Sequence, residues 1–372
     1  MKTKKDSLTK LFFDLVSIPS PSGKELEVSE FIKSHVDNLG LKSKFDKTGH
    51  LNGSNTNNLI VKIAGNTNKP FWLFIAHMDT VETGEEIIKP KIVKNIIVSS
   101  GETILGADNK SSVAAMLEVL KEVNKWDVKP NIIVAFVTSE EKGIMGSSLL
   151  NIDDKVQYAF NVDGGMGVGT FVYKSLGEVP FEIELYGKAS HSAIEPEKGI
   201  NAIKTASLII SKLKLGRTKK GLVLNIGKIS GGRANNVIPD KVIMSGEIRA
   251  FTQGEIDNEI LNIKKIIKNE SNKTGCKYEF FAHPKAGAPP LSLDKNHPII
   301  KIAKKATEAA KLKFNLKQGF FTSDANFIGQ KYPVITVDRG GKAPHSNDES
   351  IGVKELHKLK KLILEVVRQA TL

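Results

Sequence analysis

Hydrophobic positions along the chain change period several times. Near residues 5–17 and 24–39 they recur every three to four residues, which predicts two amphipathic helices, the second stopped at Gly40. The runs "NLIVKIAG", "FWLFIAH", "NIIVAFVTS" and "YAFNVDGG" are short and nearly continuous in apolar character, as buried strands are. Between the second and third, "NKSSVAAMLEVLKEVNK" restores a helical period. That alternation predicts an α/β fold.

From about residue 178 the pattern becomes a separate unit. Strand "FEIELYG", helix "INAIKTASLIISKLKL", strands "GLVLNIGKIS" and "KVIMSGEIRAF", helix "GEIDNEILNIKKIIKNESNK" and strand "YEFFAH" follow in order. This βαββαβ order predicts a four-stranded antiparallel sheet with two helices on one face. After "PKAGAPP" the α/β alternation resumes, with helices near 297–312 and 353–369 around a strand "YPVITVD". The chain therefore divides into a first part at 1–177, an insert at 178–290 and a second part at 291–372. It carries no internal repeat and no low-complexity segment.

Composition changes this picture little. At 372 residues, 40% hydrophobic and 26% charged, the chain is ordinary globular material with room for two domains. A single cysteine, Cys276, leaves no internal disulfide to form and points to a reducing, cytoplasmic setting. Asp14 interrupts the first apolar run, no small-residue cleavage site follows it, and no stretch approaches the roughly 18 apolar residues that span a bilayer. A protein with no membrane association is the expectation. Net charge is +13, yet the only arginines are Arg217, Arg233, Arg249, Arg339 and Arg368, and no aromatic residues interleave the lysine clusters "RTKK" and "KLKK". Groove readers favour the planar guanidinium and single-strand binders favour stacked rings, so the lysines read as a solvated surface rather than a nucleic-acid site.

Chemistry collects at strand ends. His77 and Asp79 close "FWLFIAHMD"; Asp108 stands before a helix in "LGADNKSS"; Glu140 and Glu141 follow "NIIVAFVTS"; Asp163 follows "YAFNV"; His345 lies in "KAPHSNDES" after the last strand. Alone, Asp108 reads as a helix N-cap, the two glutamates as first-turn carboxylates, Asp163 as a turn residue and either histidine as a bystander. Those separate readings do not explain a common placement. In open α/β sheets the carboxyl ends of the strands form the binding crevice. Imidazole and carboxylate together suit zinc, or manganese or cobalt, and five ligands with one bridging carboxylate would serve two ions roughly 3.5–4 Å apart.

The ordered set "HMDTV", "GADNKSSVAAML", "TSEEKGIMGS", "NVDGG", "ASHSA", "NNVIP" and "APHS" resembles the co-catalytic zinc exopeptidase family that includes peptidase T, carboxypeptidase G, aminoacylase and succinyl-diaminopimelate desuccinylase. The similarity covers essentially the whole chain. It implies a catalytic domain with a central mixed sheet flanked by helices, interrupted by a smaller ferredoxin-like lid and dimerisation domain. It further implies that His77 and Asp163 hold one divalent ion, Glu141 and His345 the other, and that Asp108 bridges them. Asp79 matches the carboxylate that orients the ligand histidine, and Glu140 the general base.

In the insert, His191 matches the histidine that reaches the reaction intermediate from a neighbouring subunit. Asn236 matches a polar substrate contact, and Arg249 is a candidate for a substrate carboxylate or else a structural strand-end residue. The simple insert implies a homodimer. "HMDTV" and "TILGADNK" look most like the tripeptide aminopeptidases of the family, with an N-acyl-amino-acid deacylase or a carboxypeptidase as the alternative and a non-catalytic binder as a third reading. Two departures stand out. "VETG" follows "HMDT" where a proline and an acid are usual, and Arg339 and Lys342 add positive charge before His345, either to attract a peptide's carboxyl end or to face water.

Overall fold

The structure, a computed structural model, describes residues 6–65, 68–82, 87–218 and 221–371. The first basic residues, Thr83 and Gly84 of "VETG" and the two lysines of "RTKK" lie outside the described residues. The chain forms two compact units, Met1–Lys174 with Leu293–Gly319 and Ser323–Leu372, and Ser175–Ser292 with Phe320–Thr322.

In the larger unit the first helix, Ser7–Val16, begins at Asp6, whose carboxylate accepts from the Leu8 and Thr9 amides at 3.0 and 3.1 Å. Its stripe of Leu8, Leu11, Phe12 and Leu15 is buried, as the three-to-four spacing requires. The second helix, Leu26–Asn38, ends before Gly40, which takes a left-handed φ of 70° that a glycine adopts without strain.

Both helices serve a mixed sheet whose strands run in the order Lys42–Phe45, Leu59–Ile63, Ile132–Val137, Phe71–His77, Val156–Val162, Val334–Val337 and Thr170–Ser175. The four strands from Ile132–Val137 to Val334–Val337 are mutually parallel, and their neighbours on both sides are antiparallel. Ile132–Val137 and Val334–Val337 are buried throughout, which is why their sequences are unbroken apolar runs rather than alternating ones. Helices Ala107–Val123, Pro298–Ala309 and Val353–Gln369 cover the sheet, and Phe74 stacks on Phe160 at 5.2 Å between centroids.

The smaller unit is antiparallel, in the order Gly216–Arg217, Val223–Gly231, Lys241–Ala250, Gly177–Tyr186 and Lys277–Ala282. Helices Ala202–Lys212 and Gln253–Thr274 pack on it around Phe181, Ile183, Leu185, Ile209, Met244 and Ile263. The two-residue strand Gly216–Arg217 extends the four that periodicity predicts.

Short elements escape the hydrophobic pattern. The hairpin Pro90–Val93 and Ile96–Ser99 turns through Lys94 and Asn95, both at positive φ, without the Asn-Gly pair that usually signals such a turn. Among the described residues no helix is long and apolar enough to cross a membrane.

Phe160 tests the core. Phe160→Ala should lower stability by about 3–5 kcal/mol through lost burial and the cavity left behind. Chemical denaturation measures this, and a loss below about 1 kcal/mol would mean that the Phe74–Phe160 stack is not part of the close-packed interior.

Candidate metal centre

The four parallel strands end at one edge of the larger sheet, and the candidate residues begin there. His77 is the last residue of its strand and is buried. Its Nδ1 lies 3.0 Å from the Asp79 carbonyl oxygen. A carbonyl only accepts, so Nδ1 carries a proton, while Nε2 lies 3.3 Å from Asp108 Oδ1; burial pulls the imidazole's pKa down, but Asp108 and Asp79 outweigh it and hold it well above the usual value, so an ion at Nε2 would take the place of a proton.

Asp79 is the keystone of this edge. One carboxylate oxygen accepts from the Glu140 amide at 3.1 Å, and the other from the Glu141 amide at 3.0 Å and the Ser22 hydroxyl at 2.6 Å. Nδ1 of His77 lies 3.3 Å from the same carboxylate. Burial pushes the Asp79 carboxyl up, but His77, Ser22 and the Glu141 amide outweigh it and hold it below the usual value. The turn before Glu140 is pinned as well: Ser139, at a φ of 52°, gives its amide and hydroxyl to the buried Glu25.

Asp108 does not cap its helix. Helix Ala107–Val123 starts at Gly106, and Asp108 has a non-helical ψ of 101°. Glu349 takes the N-terminal amides instead, from Gly106 at 2.6 Å and Asp108 at 2.8 Å. Asp108 is thereby free of a capping duty. Its Oδ1 is buried without a hydrogen-bond partner, while Oδ2 is 2.9 Å from Arg339 Nη2 and 3.7 Å from His345 Nε2. His345 also meets Glu141 Oε1 at 2.9 Å, from a half-exposed loop position with a φ of 61° that the paired Lys342 and Ser350 backbones hold in place.

His77, Asp108 and Glu141 offer ligand atoms that all lie within 4.8 Å of one another. His345 adjoins this group, and Asp163 adjoins it through Arg339, whose Nε is 3.9 Å from Asp163 Oδ1. Burial, then the charge of Asp108, pushes Asp163 up to about 6. Burial, with the charges of Asp324, Asp163 and Glu141, pushes Glu140 well above its usual value against the pull of His77. Several carboxylates crowded out of water around one imidazole nitrogen are a donor set suited to a divalent cation. The residues present therefore fit a metal.

Several members of the centre were not foreseen. Asp324 sits in "SDAN", buried without a hydrogen bond to either oxygen, and burial pushes it up to about 7. The Ser323–Asn326 capping box that positions it is readable in the sequence, although its contribution to the site is not. Lys110 is also buried, donating to the Ile18 carbonyl at 2.5 Å. Arg339 corrects both earlier readings, because it neither faces water nor waits for a peptide but is fully buried against Asp108.

The remaining candidates belong to the smaller unit. His191 is exposed, its Nδ1 accepting from the Ala193 and Ile194 amides at 3.2 and 3.3 Å. Asn236 is exposed, and its carbonyl receives the Ser192 amide at 3.0 Å. Arg249 is already committed, to Glu178 at 2.9 Å and to both oxygens of Glu247 at 2.9 and 3.0 Å, which is the strand-end arrangement.

A hydrolytic metallopeptidase is the class of protein that this fold and this donor set define. Residues 73–369 match the model of peptidase family M20/M25/M40, and the chain belongs to that family. The resemblance read from the motifs thus holds. Aminopeptidase PepT from Bacillus cereus ATCC 10987 is 27% identical with a TM-score of 0.91, each chain covering 98% of the other. A tripeptidase from Staphylococcus aureus subsp. aureus Mu50 is 28% identical with a TM-score of 0.92, again at 98% of both chains. The Bacillus subtilis (strain 168) protein YqjE is 29% identical over 364 residues, 96% of this chain and 97% of its own.

Asp79→Asn would leave one oxygen where two now accept amides. Metal retention should fall about 10–100-fold, measured by elemental analysis after dialysis against a graded chelator, because partners behind metal ligands typically carry that much affinity. Unchanged retention would mean that Asp79 does not organise the ligands.

Proposed function

We propose that this protein removes the N-terminal residue from short peptides, tripeptides foremost, by metal-dependent hydrolysis of the amide bond. The observation that carries the reading is the convergence of His77, Asp108 and Glu141 beside Glu140 at the ends of parallel strands. The similarity to a tripeptidase and an aminopeptidase supports the substrate class.

Two divalent ions are proposed, zinc or alternatively manganese or cobalt, with His77 and Asp163 for one, Glu141 and His345 for the other and Asp108 shared. When bound, such ions supply Lewis acidity, which brings a water's pKa to about 7 and polarises a carbonyl oxygen. Glu140 accepts the proton from the attacking water and delivers it to the leaving amine. Its backbone amide is held by the Asp79 carboxylate. Asp79 keeps His77 in the Nδ1-protonated tautomer, so that Nε2 stays available as a ligand.

The proposal assigns to His191 a contact with the tetrahedral oxyanion and to Asn236 a polar contact with substrate, in a homodimer built on the smaller unit. Arg249 drops out, since its guanidinium is already paired. The single buried cysteine agrees with a cytoplasmic setting.

Metal-reconstituted protein should cleave free tripeptides and carboxyl-amidated tripeptides but neither amine-acetylated tripeptides nor acyl amino acids. Cleavage of the blocked substrates instead would overturn the aminopeptidase reading in favour of a deacylase or carboxypeptidase. Glu140→Gln should retain its metal and lose about 10²–10⁴-fold in kcat, with near-normal turnover removing the assigned base. Mixing inactive His191→Ala and Glu140→Gln subunits should restore part of the activity, and confirmed heterodimers without rescue would sink the assignment of His191 to a neighbouring subunit.

A further inference from the structure

Five arginines stand in the chain, and four of them are paired. Arg233 meets Asp240, Arg249 meets Glu178 and Glu247, Arg339 meets Asp108, and Arg368 meets Glu365. Arg217 has no carboxylate partner and no side-chain hydrogen bond among the described residues. It is exposed, and its guanidinium carbon lies 4.7 Å from the centroid of the Phe320 ring.

The surroundings of this charge are built for it. Phe320 packs edge-on against Phe251 within the smaller unit, with 5.4 Å between ring centroids. Gly221, at a φ of 98°, closes the cluster, because a Cβ there would lie 2.6 Å from Phe251 Cε2 and 3.7 Å from Phe320 Cε1. A ring beneath a guanidinium covers one of its faces and leaves the N–H edge free for a planar carboxylate. Strand register adds a second point. Arg217 lies opposite Val223 and Val223 opposite Arg249, so the three share the face of the sheet turned away from the buried Leu224 and Ile248. On that face Arg249 is occupied by Glu178 and Glu247, whereas Arg217 is open to an anion from outside.

The covalent chain ties this cluster to the metal centre. Phe320 stands four residues before Asp324, so at most about 14 Å separates their backbones, a bound set by chain length alone. Asp324 in turn feels the charges of His77, Asp163 and Asp79. An extended tripeptide spans about 10 Å, and its carboxyl end lies about 7 Å beyond its first peptide bond. The two lengths are of one scale.

We propose that Arg217, braced on Phe320, binds the carboxyl-terminal carboxylate of the peptide substrate through its planar N–H edge and so favours peptides about three residues long. This inference rests on the aminopeptidase reading above and adds the group that recognises the far end of the substrate. It gives to Arg217 the role that Arg249, already paired, does not fill.

Steady-state kinetics on metal-reconstituted protein test it with trialanine, its carboxyl amide, and an amidated tripeptide whose third residue is glutamate. Wild type should show a KM for trialanine about tenfold below that for its amide, at similar kcat. Arg217→Met should abolish this preference through KM, while Arg217→Lys, which keeps the charge without the planar fork, should keep part of it. Phe320→Leu should also shrink the preference, and it carries the test if Arg217→Met does not fold. The glutamate amide should behave like the alanine amide; a KM as low as that of trialanine would overturn the terminal carboxylate in favour of a side-chain one. Equal KM values for acid and amide in wild type, or a preference that survives both Arg217→Met and Phe320→Leu, would overturn this inference alone. Protein that cleaves none of the three peptides would overturn the aminopeptidase reading with it.

Discussion

Withdrawing a carboxylate from water costs several kcal/mol unless donors or cations meet it, and the carboxyl edge of the larger sheet withdraws many at once. Asp79, Asp163, Asp324, Asp338 and Glu349 are buried there, with Asp108, Glu140 and Glu141 only partly accessible beside them. How each is compensated decides what it can do. Asp338 is saturated by the amides of Met166, Gly167 and Gly340, and Glu349 by those of Gly106 and Asp108, so both serve as architecture. Asp79 is saturated too, but its donors include His77 and the amides of the turn of Glu140 and Glu141, which turns its satisfaction into alignment of that edge.

The carboxylates left under-compensated are the chemically available ones. Asp108 Oδ1 and both oxygens of Asp324 lack hydrogen bonds, and Asp163, Asp324 and Glu140 are pushed upward chiefly by burial. A cation entering this edge relieves a penalty that the fold has already imposed. The same reasoning explains the local backbone. Ser139 and His345 sit at positive φ, a conformation that persists in non-glycine residues only where surrounding structure over-determines it. Glu25 restrains the first, and the Lys342–Ser350 pairing restrains the loop that bears the second.

Much of this was legible in the sequence, for a definite reason. The long helices and the buried parallel strands announce themselves by period, and His77 ends a strand, Asp163 follows one directly and Glu140 and Glu141 lie in the turn after another, so the chain order places them at one edge. Compensation is not legible in the same way, because it couples residues far apart in sequence. Glu349 caps a helix 243 positions earlier, and nothing local in "NDES" signals that it relieves Asp108 of the duty. Asp324 likewise looks like a first-turn acid of a short helix. Edge strands such as Lys42–Phe45 and the tight hairpin near Lys94 were missed for the opposite reason: they are short and partly exposed, which erases a hydrophobic period.

Arginines sharpen the point about charge. A net charge of +13 describes a lysine-rich exterior and says nothing about Lys110 and Arg339, cations that the fold buries. Arg249 and Arg339 were both read as candidates for a substrate carboxylate, and both have carboxylate partners within the protein. Their surroundings differ in kind. Arg249 lies between Glu178 and Glu247 on adjacent strands, a bidentate pairing that leaves the guanidinium well bonded and locally balanced. Arg339 meets carboxylates that have other work to do, and its nitrogens find no hydrogen bonds to settle them. A guanidinium held so poorly by hydrogen bonds gains little stability for the fold, yet Gly341 leaves room for it. What it contributes is a positive charge fixed 2.9 Å from Asp108 Oδ2, which no change of pH in the accessible range removes.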